Sequence, residues 1–257
     1  MELVVVCLAA LLASGLTLFS GFGLGTLLMP VFALFVPLEL AVAMTAIVHL
    51  ANNLFKIGLL GRMADWAVVL RFGLPAVVAA FAGALLLFSL DSTAPLASYQ
   101  AFGRVHHVFL MGLVIGALIL VFVVLELLPA FSRVALDRRW LPVGGLVSGF
   151  FGGVSGHQGA FRSMFLIKAG LGKEAFIATG VVLAVIVDMA RLVVYGFNLA
   201  SQAGRIDWLL VAAASGCAFA GAYGGKRLLK RMTFRSVQWI VSAFLVVVAI
   251  GLMSGLL

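Results

Sequence analysis

Charged residues are scarce. Asp, Glu, Lys and Arg together make up 10% of the 257 residues, where a soluble globular domain carries about a quarter, so an ordinary water-facing surface is excluded. Cysteine is almost missing: Cys7 and Cys217 each lie inside an apolar stretch, so no disulfide framework is expected and packing as small hydrophobes is the default reading. There is no GxxxxGK[ST] phosphate loop, no HExxH and no clustered Cys/His spacing. The chain therefore does not itself hydrolyse ATP, and no metal or other cofactor is expected. Short segments of alternating polarity are missing too, which excludes a transmembrane β-barrel. The N-terminus MELVVVCLAALLASGL has an acid where a cleaved leader has basic residues, and is expected to be the first membrane segment.

What is present is hydrocarbon. Hydrophobic residues make up 64% of the chain and fall into apolar segments at 3–19, 26–36, 38–60, 66–90, 107–128, 141–152, 161–169, 174–197, 207–229 and 235–256. Six of these are long enough to cross a bilayer as helices. The other four are short and form two pairs, each around a glycine-rich break: SGFGLG at 20–25 and GGVSGHQG at 152–159. The formal charge of +8 is carried by short connections between apolar segments. That is the positive-inside pattern of a multi-pass membrane protein, not a nucleic-acid surface. The expected fold is an all-α polytopic membrane protein whose surroundings are the lipid bilayer.

The two halves, 1–130 and 131–257, read as copies of one another within a single membrane domain. Ser20-Gly21 matches Ser155-Gly156, Met29 matches Met164, and NNLFKIGLLG (52–61) lies over VDMARLVVYG (187–196). GRMADW (61–66) returns as GRIDW (204–208), and FAGA (81–84) returns as FAGA (219–222). Each half is then a broken pair followed by three long helices. The basic connections at 62–71, 133–139 and 226–235 share one side if each broken pair dips in and returns, or crosses twice. The repeat unit then has an odd number of crossings, so the halves are inverted. Interrupted segments at corresponding positions of inverted halves point to a transporter's substrate site.

The order SGFGLGTLLMPVF…HLANNLFK, then SGFFGGVSGHQGAFRSMFL…DMARLVVYG, resembles the sulfite exporter TauE/SafE family over nearly the whole chain. The resemblance implies an inner-membrane protein moving small sulfur-containing anions such as sulfite or organosulfonates, without naming the anion.

The residues themselves support an anion site. Glycine breaks let backbone approach a ligand closely, and half-helix starts near Thr26 and Ala160 offer free amides to an anion. Gly23, Gly25, Gly156 and Gly159 are the backbone candidates. Thr45, His49, Asn52 and Lys56 recur at steps of four, three and four, with Asn53 adjacent, and so share a helix face. Asp188, Arg191 and Tyr195 make a similar stripe in the second half. Ionisable residues inside spans are costly and line functional cavities. Lys56, Arg162 and Arg191 are expected to attract the anion. His49, Asn53, His157 and Gln158 orient it, and His49, His157 or Asp188 are the candidate carriers of a coupled proton. Structural alternatives stand beside these: snorkelling for Lys56, an Asp188–Arg191 ion pair, and inter-helix bonding for His49. An intramembrane serine protease fails on residue order, because GVSG (153–156) is followed by no later histidine than His157. The expected function is secondary anion transport and not an enzyme. A passive anion channel and a non-transporting assembly subunit are the alternatives, and a cotransported cation and a homodimer are both compatible with the reading.

Overall fold

A computed structural model of the chain describes residues 1–20, 24–90, 94–101, 103–128, 134–228 and 234–257. Ten α-helices run through them: α1 (Glu2–Ser20), α2 (Leu24–Ala33), α3 (Leu38–Leu60), α4 (Trp66–Ser89), α5 (Leu110–Leu127), α6 (Leu141–Ser155), α7 (Gly159–Leu166), α8 (Lys173–Asn198), α9 (Trp208–Leu228) and α10 (Phe234–Ser254). Among the described residues, Leu38–Gly58, Trp66–Ser89, Leu110–Leu127 and Lys173–Asn198 are long and apolar enough to cross a membrane. Glu2–Gly15, Leu24–Ala33, Trp208–Gly224 and Val241–Ser254 are shorter apolar stretches. The protein is an all-α membrane protein, and its surface is inside out: Leu70, Leu74 and Val78 of α4 and Met189, Val193 and Phe197 of α8 are exposed. Polar Thr179, Asp188 and Arg191 are buried. Lipid solvates the first set; the second must be satisfied by protein.

One segment differs from the sequence reading. Residues 97–108 are not connection and helix start but an antiparallel hairpin, β1 (Ala97–Ala101) with β2 (Arg104–Val108), turned at Gly103 with φ 73°. Helix α5 therefore begins at Leu110. ASYQA and RVHHV are too short and mixed in polarity to stand out from a polar connection, and the positive φ that closes the turn is a glycine property.

The described contacts divide the bundle into two faces. Arg138 before α6 lies 3.8 Å from Asp65 before α4, and the Asp65 N–H donates to Thr179 Oγ1 near the start of α8 at 2.9 Å. Helices α4, α6 and α8 thus start at one face, here called the basic face. At the opposite face the hairpin meets the C-terminal end of α10, where the Tyr99 hydroxyl donates to Ser254 O at 2.7 Å. The second broken pair returns to the face it left: Leu136 N–H, preceding α6, bonds Met164 O in α7 at 3.2 Å. Pair α6–α7 is therefore re-entrant.

Packing between the halves is reciprocal. Helix α6 runs parallel along α4, with the carbonyls of Phe72, Ala76 and Ala80 set against the α-carbons of Gly145, Gly149 and Gly153. Glycine at every fourth position gives α6 a flat strip, and no side chain larger than hydrogen fits there. Helix α1 runs along α9 in the same way, with the Leu11 carbonyl against Gly221. The two FAGA segments serve alike in this packing. Gly83 of α4 receives the Phe150 carbonyl of α6, and Gly221 of α9 receives that of Leu11. Helix α3 packs on α8, and α5 on α10.

Candidate functional site

Where α3 crosses α8, the two polar stripes join through one carboxylate. Arg191 donates to Asp188 Oδ1 from Nε at 3.0 Å and from Nη2 at 2.7 Å. His49 Nδ1 lies 2.6 Å from Asp188 Oδ2, and Asn53 Nδ2 donates to the same oxygen at 3.5 Å. Gln158 Nε2 adds a bond to Oδ1 at 3.4 Å. Asp188 and Arg191 are both 0% exposed. A buried pair is tolerated when its remaining lone pairs are satisfied, and Asp188 is satisfied from α3, from α8 and from the second break at once.

The second break is built around Gly156, in the left-handed region at φ 81°. A Cβ there would also come within 2.8 Å of Arg191 Nη1, so both conformation and space require glycine. Tyr195 donates its hydroxyl to the Gly153 carbonyl, and Ser148 Oγ donates to Gln158 O at 2.9 Å. Side chains on one face of α8 thus hold two points of the break, Asp188 at Gln158 and Tyr195 at Gly153, with Arg191 packed against Gly156 between them. His157 bonds Ser155 Oγ through Nδ1 at 2.9 Å and stacks on Phe122 with centroids 4.8 Å apart. The Ser155 hydroxyl donates to the Phe151 carbonyl at 3.3 Å. In this arrangement Ser155 accepts from His157, the reverse of a serine being deprotonated by a base.

Backbone supply differs from expectation at one position. The Gly156 N–H caps α6 by donating to Gly152 O at 3.0 Å, so it has no proton left for an anion. Gly156 serves through its conformation and its missing side chain. Gly159 is buried and opens α7. Gly23 lies outside the described residues. Gly25 and Thr26 are buried in the first turn of α2.

The two breaks meet. A Cβ on Gly25 would lie 3.5 Å from the Gly156 carbonyl oxygen and 3.8 Å from Thr45 Cγ2. Lys56, 5% exposed, does not snorkel. With the Asn52 amide turned so that its nitrogen donates to Ser14 Oγ at 3.0 Å and Ala218 O at 3.2 Å, its oxygen accepts from Lys56 Nζ at 3.1 Å. Arg162 is half-buried and donates to Gln158 Oε1 at 3.3 Å. It lies close enough to Lys56 for the two cations to repel. Arg162 and Arg191 face the Asp188 carboxylate and Lys56 lies beside Arg162, an excess of positive charge among the described residues of this low-dielectric cluster. Among the described residues, three buried polar atoms here have no hydrogen-bond partner: Arg191 Nη1, Thr45 Oγ1 and His157 Nε2. Sequence reasoning overlooked Ser148, which no motif marks, and Phe122, one phenylalanine among 21.

Apolar outer faces, re-entrant helices and a buried polar cluster with excess positive charge define a helical membrane protein of the transporter class. The chain belongs to the sulfite exporter TauE/SafE family: the family model described as "Sulfite exporter TauE/SafE" matches residues 6–252, nearly its whole length. The family is one of membrane transporters. No curated protein and no solved structure matches the chain at a significant level.

Proposed function

We propose that this protein is a secondary transporter of small sulfur-containing oxyanions, sulfite- or sulfonate-like, in the inner membrane, with both halves contributing to one site. The observation that carries the reading is the Arg191 Nη1 donor: fully buried, without a partner among the described residues, and aimed at Gly156 where the two breaks touch. Burying a cationic donor without an acceptor costs several kcal/mol, a cost that an anion seated there removes. Thr45 Oγ1 and His157 Nε2 are further unpartnered polar atoms around the same contact, and Lys56 and Arg162 supply the attracting field. The planar guanidinium suits this role because Nε and Nη2 hold Asp188 while Nη1 stays fixed as a donor to an oxyanion.

The halves 1–130 and 131–257 act as inverted repeats in this reading. Its support is the reciprocal packing of α1 on α9 and α6 on α4, with the same FAGA glycine at each close approach. The parallel run of α1 with α9, against that of α6 with α4, sends the two first helices in from opposite faces. The test is saturable flux of labelled sulfite, taurine or sulfoacetate into proteoliposomes. A saturating carrier with competition among these anions is expected. Linear, non-saturating flux makes it a channel, and no flux of any small anion by folded protein overturns the proposal.

A further inference from the structure

Two thiols stand apart from the anion site. Cys7 on α1 and Cys217 on α9 are half-buried, and the two thiols lie close enough to interact across the helix contact. The helix register accounts for this. Leu11 meets Gly221 across the α1–α9 contact, and because the helices run parallel, one turn back from each places Cys7 beside Cys217. The glycine contact brings the two backbones together there. A disulfide requires α-carbons within about 7 Å and β-carbons that face each other, a requirement that facing residues on closely packed parallel helices are placed to meet.

The position in the bundle suits oxidation. Cys7 is one to two turns from the start of α1 and Cys217 two to three turns from the start of α9, so both lie toward the face opposite the basic connections. By the charge bias, that face is turned away from the reducing cytoplasm, toward a side on which thiols are not held reduced. Half-burial leaves them open to a small neutral oxidant.

We propose that Cys7 and Cys217 are a redox modification site, closing to a reversible disulfide that staples the first half of the chain to the second. With a peroxide as oxidant, one sulfur attacks a peroxide oxygen, the O–O bond breaks, and a sulfenic acid and water form. The second sulfur then attacks the first, the S–S bond forms and a second water leaves. Two thiols and one peroxide give one disulfide and two waters, and a dithiol reductant reverses the oxidation by thiol–disulfide exchange.

The full chain in liposomes is treated with hydrogen peroxide or diamide, denatured, and reacted with a polyethylene-glycol maleimide that retards each free thiol on a gel. Two tags per chain are expected before oxidation, none after it in the monomer band, and two again after dithiothreitol. Cys7→Ser and Cys217→Ser should each keep their one tag under the same treatment, because the partner sulfur is gone. The thermal unfolding midpoint of the wild type should rise on oxidation, while those of the single variants do not move. Two tags retained by oxidised wild type, tags lost equally from the single variants, or loss confined to a cross-linked dimer band would each overturn the proposal. None of these readouts involves a transported anion, so they stand or fall apart from the transport reading.

Discussion

Replacing Arg191 by lysine separates its observed role at Asp188 from the anion-binding role proposed for it. The guanidinium gives Nε and Nη2 to Asp188 Oδ1 at 3.0 and 2.7 Å and leaves Nη1 directed at the meeting point of the breaks. A lysine ammonium keeps the charge and can still reach Asp188, so the buried ion pair survives. It is a point charge without a fork, and it cannot hold Asp188 and present a second, fixed donor to an anion. Removing the charge altogether, as in Arg191→Met, strands Asp188 in the interior and costs about 3–5 kcal/mol of stability. The lysine variant instead loses one charge-assisted hydrogen bond to the substrate, worth about 1.5–3 kcal/mol, which is roughly a 10- to 150-fold rise in KM. The assay is concentration-dependent flux of labelled sulfite in proteoliposomes, with thermal unfolding in detergent to confirm that the fold persists. A lysine variant with wild-type KM would refute the reasoning, since Arg191 would then be purely a structural partner of Asp188. A variant that unfolds like Arg191→Met would refute it too, because the ion pair would then need the guanidinium itself.

Two further outcomes follow from the packing and the charge bias. Gly83→Ala and Gly221→Ala each push a methyl group into a backbone carbonyl, of Phe150 and of Leu11. Each should lower stability in a melting experiment by about 1–3 kcal/mol; two unchanged midpoints would mean the helices are not held at that distance. Arg138→Cys and Arg104→Cys, made in a Cys7→Ser/Cys217→Ser background, should react with a membrane-impermeant maleimide from opposite sides, Arg138→Cys only from the cytoplasmic one. Labelling of both from one side would contradict the assignment of the two faces.

Much of this arrangement is legible in the sequence because lipid restricts the options. Long apolar segments must be helices, so helices lie at each expected stretch, and the glycine breaks stand out because they interrupt hydrocarbon. The stripes at 45, 49, 52, 56 and at 188, 191, 195 follow from helical spacing alone. Their junction through Asp188 does not, since nothing local says which oxygen takes His49 and which takes Arg191. The role of Gly156 is half visible: glycine in a break suggests a close approach, but its N–H capping α6 depends on where that helix ends. Lys56 illustrates the reverse case. Its place near a helix end suggests snorkelling, and a partner at Asn52, itself tied to α1 and α9, turns it inward. The hairpin at 97–108 escapes notice because two short strands of mixed polarity carry no dominant period.

The distribution of bonds around Asp188 bears on how a bound anion could be linked to movement of the break. Oxygen Oδ1 is shared by Arg191 and Gln158, and Gln158 in turn holds Arg162 and, through its carbonyl, Ser148. An anion that draws the Arg191 guanidinium toward Gly156 weakens its grip on Oδ1 and strengthens the claim of Gln158 on that oxygen. The break would then be held differently with and without the anion. Ligand-driven movement requires this: an anion shifts a conformational equilibrium only by the difference in its interactions with the two states, and the linkage is reciprocal. A merely attractive basic cavity would lack it. In this protein the same face of α8 that carries the unpartnered donor, at Arg191, also anchors the break, through Asp188 at Gln158 and Tyr195 at Gly153. Seating an anion there and repositioning the break therefore draw on one set of hydrogen bonds, which favours a carrier over a passive pore.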